Sequence, residues 1–139
     1  VIGVRVVDKI LANPTLTTRL ANQTGDLLAD CGVRGVPRIK ASSITIVDDY
    51  FGPDYGVPTD EGLQAIALAD RLADLALEPT YTGKALAGLI GERDRLELAD
   101  RKVVYWHTLN GVDLSDRIDG ADIERDLPEE YLPFFEEEA

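Results

Sequence analysis

The sequence has one cysteine, one histidine and no methionine. A single cysteine cannot form an internal disulfide. Because Cys31 falls where a helix needs a small apolar residue, we predict that it fills the core and is not a reactive thiol. One histidine and one cysteine also fall short of the usual ligand set of a zinc site. Redox chemistry and zinc binding are therefore not expected.

Basic residues are scarce, and long apolar runs are absent. The 14 Lys and Arg are outnumbered by 26 Asp and Glu, which gives a net charge of -12. Nucleic-acid binding rests on neutralising phosphates with basic side chains, so this charge excludes it. The short apolar runs are interrupted by Asp, Arg or Gly, which predicts neither a membrane span nor a signal peptide. We expect a cytoplasmic protein with no nucleic-acid or membrane partner.

The charged residues are also unevenly distributed among residue types. Asp outnumbers Glu, and the lysines are limited to Lys9, Lys40, Lys84 and Lys102. This halophilic composition is similar to that of proteins from salt-loving organisms, whose solvated carboxylates keep them soluble while salt screens their repulsion. The absence of methionine, together with an apolar start at Val1, does not look like a native N-terminus. We therefore expect the chain to be part of a longer protein.

Strand-like and helix-like segments alternate along the chain. Short β-branched apolar segments predict buried parallel strands at Val1–Val7, Ile44–Val47 and Val103–Trp106. Capping residues predict helices that begin after Asn13, after Thr59 and near Thr82. This order indicates an α/β fold, part of a parallel sheet covered by helices, and three strands are few for that plan. We assign 1–112 to this domain and 113–139 to an acidic surface tail.

Apolar positions at helical spacing predict which helix faces are buried. On the first helix they form one face, and the second helix is apolar over much of its circumference, so we expect it to be largely buried. The residues in the first set are Leu16, Leu20, Leu27, Leu28 and Cys31, and those in the second are Leu63, Ile66, Leu68, Leu72, Ala73, Leu75 and Leu77.

Three stretches stand where ligands bind in parallel α/β sheets or at a helix start: Asp48–Pro58, Pro79–Lys84 and His107–Thr108. From the residues alone, each has a simpler interpretation. The first is a turn, or a calcium site formed by its three carboxylates, Asp48, Asp49 and Asp54. The second is a helix start capped by Thr80 or Thr82, with Lys84 as a solvated charge, and it lacks the glycine of a phosphate loop. The third holds a hydrogen-bonded structural histidine.

Taken in order, these stretches resemble a known family. The strings Asp-Asp-Tyr-Phe, Tyr-Gly-Val-Pro, Pro-Thr-Tyr-Thr-Gly-Lys-Ala-Leu-Ala-Gly-Leu-Ile and His-Thr are similar to the C-terminal portion of the D-cysteine desulfhydrase and aminocyclopropane-carboxylate deaminase family. That family belongs to the tryptophan-synthase-β-like enzymes, the fold type II enzymes that use pyridoxal phosphate. The resemblance is close over Asp48–Ile90 and poor after Asn110.

The resemblance implies roles for individual residues. It places Tyr55 and Tyr81 at a small amino-acid substrate as catalytic residues, and Thr82, Gly83 and Thr108 beside the pyridoxal phosphate cofactor. A neutral threonine hydroxyl at the pyridine nitrogen suits α,β-elimination, because it makes the ring a weaker electron sink. Ring-opening deaminases resemble one another in having Glu where this chain has Thr82. A D-cysteine desulfhydrase-like lyase is therefore expected, with aminocyclopropane-carboxylate deaminase and cysteate sulfo-lyase as alternatives.

Two departures from the family pattern limit what the resemblance implies. Leu109 and Asn110 replace a pair of glycines after Thr108, which bears on the choice of substrate. The Schiff-base lysine of the family, with its phosphate loop, is expected upstream of Val1, so we predict that this chain alone is inactive. A degenerate, noncatalytic domain for binding or assembly is the rival interpretation. The resemblance further implies that the full-length protein is a homodimer.

Overall fold

The computed structural model describes residues 1–113, 117 and 128–130. The strands are β1 (Ile2–Val4) and β2 (Thr45–Val47), and the helices are α1 (Pro14–Asp30), α2 (Asp60–Ala73) and α3 (Thr82–Gly91), with a 3-10 turn at Ala41–Ser43. The chain divides into two units, Val1–Leu109 and Asn110–Ala139. Most of the second unit, and with it most of the predicted tail 113–139, lies outside the described residues. The described part is thus α/β.

The two strands form a parallel pair that α1 connects. Ile2 lies opposite Thr45, and Val4 opposite Val47. The pairing is extended at its end by the backbone N–H of Arg5, which donates to the carbonyl of Val47 at 2.8 Å. The first two predicted strands are confirmed, although β1 is shorter than predicted. The βαβ order places the carboxyl ends of both strands together, next to the residues that follow Val47.

Local capping explains where α1 and α2 begin. The side chain of Asn13 accepts a hydrogen bond from the backbone N–H of Leu16 at 2.9 Å, and Pro14 follows it at the first helical position, where its missing N–H costs nothing. Thr59 caps α2 in the same way by accepting from the N–H of Gly62. Both predicted helix starts are confirmed. α2 ends earlier than predicted, where Asp74 adopts the left-handed conformation.

Close packing of α2 against α3 depends on small residues. The buried residues of these helices include Gly62, Ala65, Ala69, Gly83, Ala87 and Gly88. A side chain at Gly83 would place its Cβ 2.8 Å from Ile66 on α2, and one at Gly88 would lie 2.5 Å from Val4 on β1. The glycines therefore let α3 lie directly against both neighbours. None of the helices formed by the described residues is long and apolar enough to cross a membrane.

Several burial predictions are wrong. Leu20, Leu27 and Leu28 of α1 are exposed, as is Cys31 just after the helix, and within the described part of the chain no α1 residue is buried. α2 is not largely buried either, since Leu72 is 72% exposed. An amphipathic face predicts burial only where another element covers it, and for these side chains the described residues supply no full cover.

The predicted third strand, Val103–Trp106, is also wrong. The segment forms no strand, and Val104 and Trp106 are 82% and 79% exposed. A β-branched segment becomes a strand only when another strand accepts its backbone hydrogen bonds. Among the described residues, β1 and β2 pair with each other alone.

Candidate functional site

The segment Asp48–Pro58, here called the Tyr55 loop, follows β2 and leads into α2. Its entrance is fixed by Arg5, whose side chain is buried and donates from Nε to a carboxylate oxygen of Asp48 at 2.5 Å. This hydrogen bond lowers the pKa of Asp48, against the opposing effect of burial, and the nearby charge of Lys9 lowers it further. The same guanidinium lies 4.6 Å from the centre of the Phe51 ring. The carboxylate of Asp48 therefore acts as a structural anchor.

The calcium site considered for this loop does not form. No group of three carboxylate, histidine or cysteine side chains that could hold a metal occurs among the described residues, which include Asp48, Asp49 and Asp54. Asp54 is used locally instead, since its carboxylate accepts from the backbone N–H of Tyr55 at 2.7 Å. Asp48 and Asp54 are thus used in local bonds, and the three carboxylates do not converge on one point.

Tyr55 and Tyr81 come together although 26 positions separate them in the chain. Their hydroxyl groups share a hydrogen bond, and their rings meet edge to face with centres 6.1 Å apart. Both side chains are about half exposed. The hydrogen bond with Tyr55 raises the pKa of Tyr81, with a smaller contribution from burial. Tyr81 is therefore a neutral phenol at physiological pH, able to donate a proton or a hydrogen bond.

The start of α3 is capped by Glu78, a residue that the sequence reasoning missed. Its carboxylate accepts from the backbone N–H groups of Thr80, Tyr81 and Thr82 at 2.6 to 2.8 Å. Burial raises the pKa of Glu78, but these hydrogen bonds outweigh it and leave the pKa below the ordinary value. The predicted caps, Thr80 and Thr82, do not cap the helix by their side chains. A carboxylate at this helix end also fills the place where an anionic ligand would bind.

Thr82 and Gly83, predicted beside the cofactor, are both buried and both make contacts within the chain. The hydroxyl oxygen of Thr82 accepts from the backbone N–H of Glu78 at 2.9 Å and lies 3.1 Å from the Glu78 carboxylate. The space that a Gly83 side chain would fill is taken by Ile66. These two residues do not offer a free cradle for pyridoxal phosphate, so their roles at the cofactor stay predictions.

The segment with the histidine lies against this region. Tyr105 donates from its hydroxyl to the carbonyl of Thr82 at 2.9 Å, and burial raises its pKa. His107 lies 3.0 Å from the carbonyl of Ala76 through Nε2. The interpretation of His107 as a hydrogen-bonded structural residue is thus supported. Thr108 is exposed, and its role at the cofactor is likewise still a prediction.

Lys84 is a further residue of this region that sequence reasoning assessed wrongly. It was expected to be a solvated charge, but it is 0% exposed, and its ammonium group donates to the carbonyl of Phe51 at 2.7 Å. A signal was present in the sequence, because Lys84 shares helical spacing with Ala87 and Gly88, the small residues on the buried face of α3. A lysine within such a face is expected to be buried with them.

The comparison with known proteins agrees with the motifs. No protein-family model matches the chain. A curated D-cysteine desulfhydrase from Yersinia enterocolitica serotype O:8 / biotype 1B is 42% identical over 84 residues, which is 60% of this chain and 24% of that protein. The chain therefore spans about a quarter of the length of this relative. The resemblance predicted from the sequence is confirmed: the chain is similar to D-cysteine desulfhydrase in a way consistent with a C-terminal portion of that family.

Proposed function

We propose that this chain supplies one side of the active site of a lyase that uses pyridoxal phosphate and acts on a small amino acid by α,β-elimination. The observation that supports this most directly is the hydrogen-bonded pair of phenols, Tyr55 and Tyr81, on an accessible surface. The similarity to a D-cysteine desulfhydrase agrees with it. The net reaction for D-cysteine consumes water and releases pyruvate, hydrogen sulfide and ammonia.

In this proposal the two phenols act as a donor pair. Because the pKa of Tyr81 is raised by its bond to Tyr55, Tyr81 keeps its proton and suits the role of acid or hydrogen-bond donor better than that of base. When one phenol donates to the other, one O–H remains free for the substrate. That O–H can stabilise a carboxylate or the departing sulfur anion. Glu78 holds Tyr81 at the start of α3 by accepting from its backbone N–H.

The cofactor would supply the electron sink that makes the α-proton of the substrate acidic. We assign Thr108 to its neighbourhood, since this residue is exposed. No step is assigned to Thr82, whose hydroxyl is bonded to Glu78, or to Gly83, beside which Ile66 fills the space. The lysine that holds the cofactor in this family is proposed to lie in a part of the protein that these 139 residues do not contain. The proposal therefore concerns the full-length protein.

The test is a parallel assay of the full-length protein on D-cysteine, cysteate and aminocyclopropane carboxylate. We expect release of pyruvate from D-cysteine at the highest kcat/KM. Tyr81→Phe should lower kcat by roughly 100-fold or more, the scale of positioned acid–base groups. Tyr50→Phe is the matched control and should change kcat little, because the Tyr50 hydroxyl lies against Gly91 at the end of α3 and not at the phenol pair.

Two outcomes would contradict the proposal. If Tyr81→Phe and Tyr50→Phe had equal, small effects, the phenol pair would have no part in the chemistry. If the full-length protein bound no pyridoxal phosphate and consumed none of the three substrates, the noncatalytic alternative would replace it. Preference for aminocyclopropane carboxylate would instead overturn only the choice of elimination over ring opening.

A further inference from the structure

Lys84 is buried in a way that lysines rarely are. Its side chain is 0% exposed, and an ammonium group removed from water is unfavourable unless it is hydrogen-bonded. Burial lowers the pKa of Lys84, while the charge of Glu78 acts in the opposite direction. The ammonium group donates a hydrogen bond to the carbonyl of Phe51, 33 positions earlier in the chain. Because burying an ammonium group is unfavourable, we ask what the contacts of Lys84 achieve in the fold.

The path of the side chain shows what it connects. The Cγ of Lys84 passes 3.6 Å from the place where a Cβ on Gly62, in the first turn of α2, would stand. Its Nζ reaches 3.9 Å from the corresponding place on Gly52 and lies 5.7 Å from the centre of the Phe51 ring. Lys84 therefore runs from the first turn of α3, past the first turn of α2, to the middle of the Tyr55 loop.

The two ends of this connection carry the two phenols. Tyr81 is the residue directly before α3, and Tyr55 follows Phe51 by four positions in the loop. Hydrogen bonds inside the loop are local, such as those from Tyr55 and Val57 to Asp54. Such bonds shape the turn without fixing its distance from α3. The bond from Lys84 to Phe51 joins the loop directly to the first turn of α3, while Tyr50, earlier in the loop, lies against Gly91 at the other end of this helix.

We propose that Lys84 is a positioning residue, whose buried ammonium group holds the Tyr55 loop against the start of α3 and so keeps the phenols of Tyr55 and Tyr81 in contact. The assignment of chemical work to these phenols rests on the proposed function. The positioning itself does not, and it can be measured in the chain without cofactor or substrate.

The test follows the coupling of the two phenols by NMR in the 139-residue chain labelled with 13C at tyrosine Cζ. In the parent chain, Tyr55→Phe should shift the titration of Tyr81 to lower pH, because the bond between the phenols is lost. In a chain carrying Lys84→Met, which keeps length and packing but removes the ammonium group, the same change should produce less than half of that shift. Lys102→Met, at an exposed lysine, should leave the shift unchanged.

An unchanged shift in the Lys84→Met chain would overturn the proposal. The Tyr105 signal reports whether α3 stays folded, since this phenol bonds to the Thr82 carbonyl. If Lys84→Met does not fold, the same measurement is made with an ester in place of the peptide link between Phe51 and Gly52. This weakens the Phe51 carbonyl as an acceptor and changes no side chain. Full coupling there would equally overturn the proposal, whereas an inactive full-length protein would contradict the proposed function alone.

Discussion

Two parts of this chain have similar helical patterns and different surroundings. The pair α2 and α3 packs through glycines and alanines, and both helices contain buried residues. α1 has an equally clear apolar side, yet no residue of it is buried among the described residues, and Leu27 is 63% exposed. The difference shows that an amphipathic pattern indicates which face of a helix is suited to burial. Whether that face is buried depends on another element that packs against it.

The contacts of α1 show how a helix is held without a covered face. Asn22 binds the backbone of Ile39 twice, donating to its carbonyl at 3.1 Å and accepting from its N–H at 2.9 Å. Arg38 adds a bond to the carbonyl of Asn22. These polar contacts fix the loop that returns toward β2, and they do not bury the leucines. Stability should therefore depend far more on α2 and α3 than on α1.

The largest effect is expected when one leucine beside α2 and one in α1 are shortened, which tests the difference in packing directly. Leu77, just after α2, is 9% exposed, so Leu77→Ala should lower the free energy of unfolding by about 2 to 3 kcal/mol, through lost burial and an unfilled cavity. Leu27→Ala in α1 should change it by less than about 0.5 kcal/mol. Urea denaturation of both variants measures this, and equal losses would show that α1 is as well packed as the segment that follows α2.

A second test addresses the close approach of α3 to α2. Gly83→Ala puts a Cβ 2.8 Å from Ile66 and 3.0 Å from the Glu78 carbonyl. Overpacking of this kind typically costs about 1 to 3 kcal/mol, reduced somewhat by the better helix propensity of alanine. We expect a loss of about 1 to 2 kcal/mol by thermal denaturation. Gly111→Ala is the control, because an added Cβ there would meet no atom of the described residues within 4 Å apart from its chain neighbours. A neutral Gly83→Ala would mean that the two helices are free to separate.

The comparison also explains what sequence reasoning could predict. The starts of α1 and α2 follow from Asn13 and Thr59, because a cap acts on its own next residues. The third predicted strand, Val103–Trp106, failed because a strand depends on a partner that may lie anywhere in the chain. The cap signals of α1 and α2 were reliable, but those of α3 were not, since Glu78 caps that helix in place of Thr80 or Thr82. The strand signals held for β1 and β2, which pair with each other, and failed for the segment that has no strand partner among the described residues.

In the candidate site, too, some residues could be predicted from the sequence and others could not. Family motifs singled out Tyr55 and Tyr81, and the structure brings their hydroxyls together. Glu78 and Lys84 were missed, since a charged side chain near a helix start is usually solvated. Their importance comes from contacts: Glu78 binds three backbone N–H groups, and Lys84 reaches a carbonyl 33 positions away. Only the second of these contacts is long-range, since Glu78 binds residues two to four positions later.

The third prediction concerns the cap of α3 and its dependence on pH. Glu78→Gln removes the charge but keeps an acceptor, so at pH 7 it should cost about 0.5 to 1 kcal/mol. Because the folded state lowers the pKa of Glu78, its contribution is present above the ordinary pKa and is lost as the pH falls below about 4.3. The difference between the parent and Glu78→Gln in urea denaturation should therefore shrink from pH 7 to pH 3.

The control for that measurement is Glu97→Gln, at a carboxylate whose side chain is 84% exposed. It should alter the free energy of unfolding by less than about 0.5 kcal/mol, as for an exposed ion pair. A difference for Glu78→Gln that stayed constant from pH 7 to pH 3 would contradict the prediction, since it would mean that the charge of Glu78 contributes nothing to the cap.

The smallest expected effect is at Cys31, where the comparison with α2 can be sharpened without changing the fold. The thiol is exposed at the end of α1, so a maleimide should label it in the native chain about as fast as in urea. If α1 were covered as α2 is, labelling would be slowed in the native state and restored on unfolding. Cys31→Ser should leave the free energy of unfolding unchanged within about 0.5 kcal/mol, because an exposed thiol contributes no buried surface. Slow native labelling together with a destabilising Cys31→Ser would show that the end of α1 is packed. The difference in burial between α1 and the pair α2 and α3 would then hold only for the residues up to Asp30.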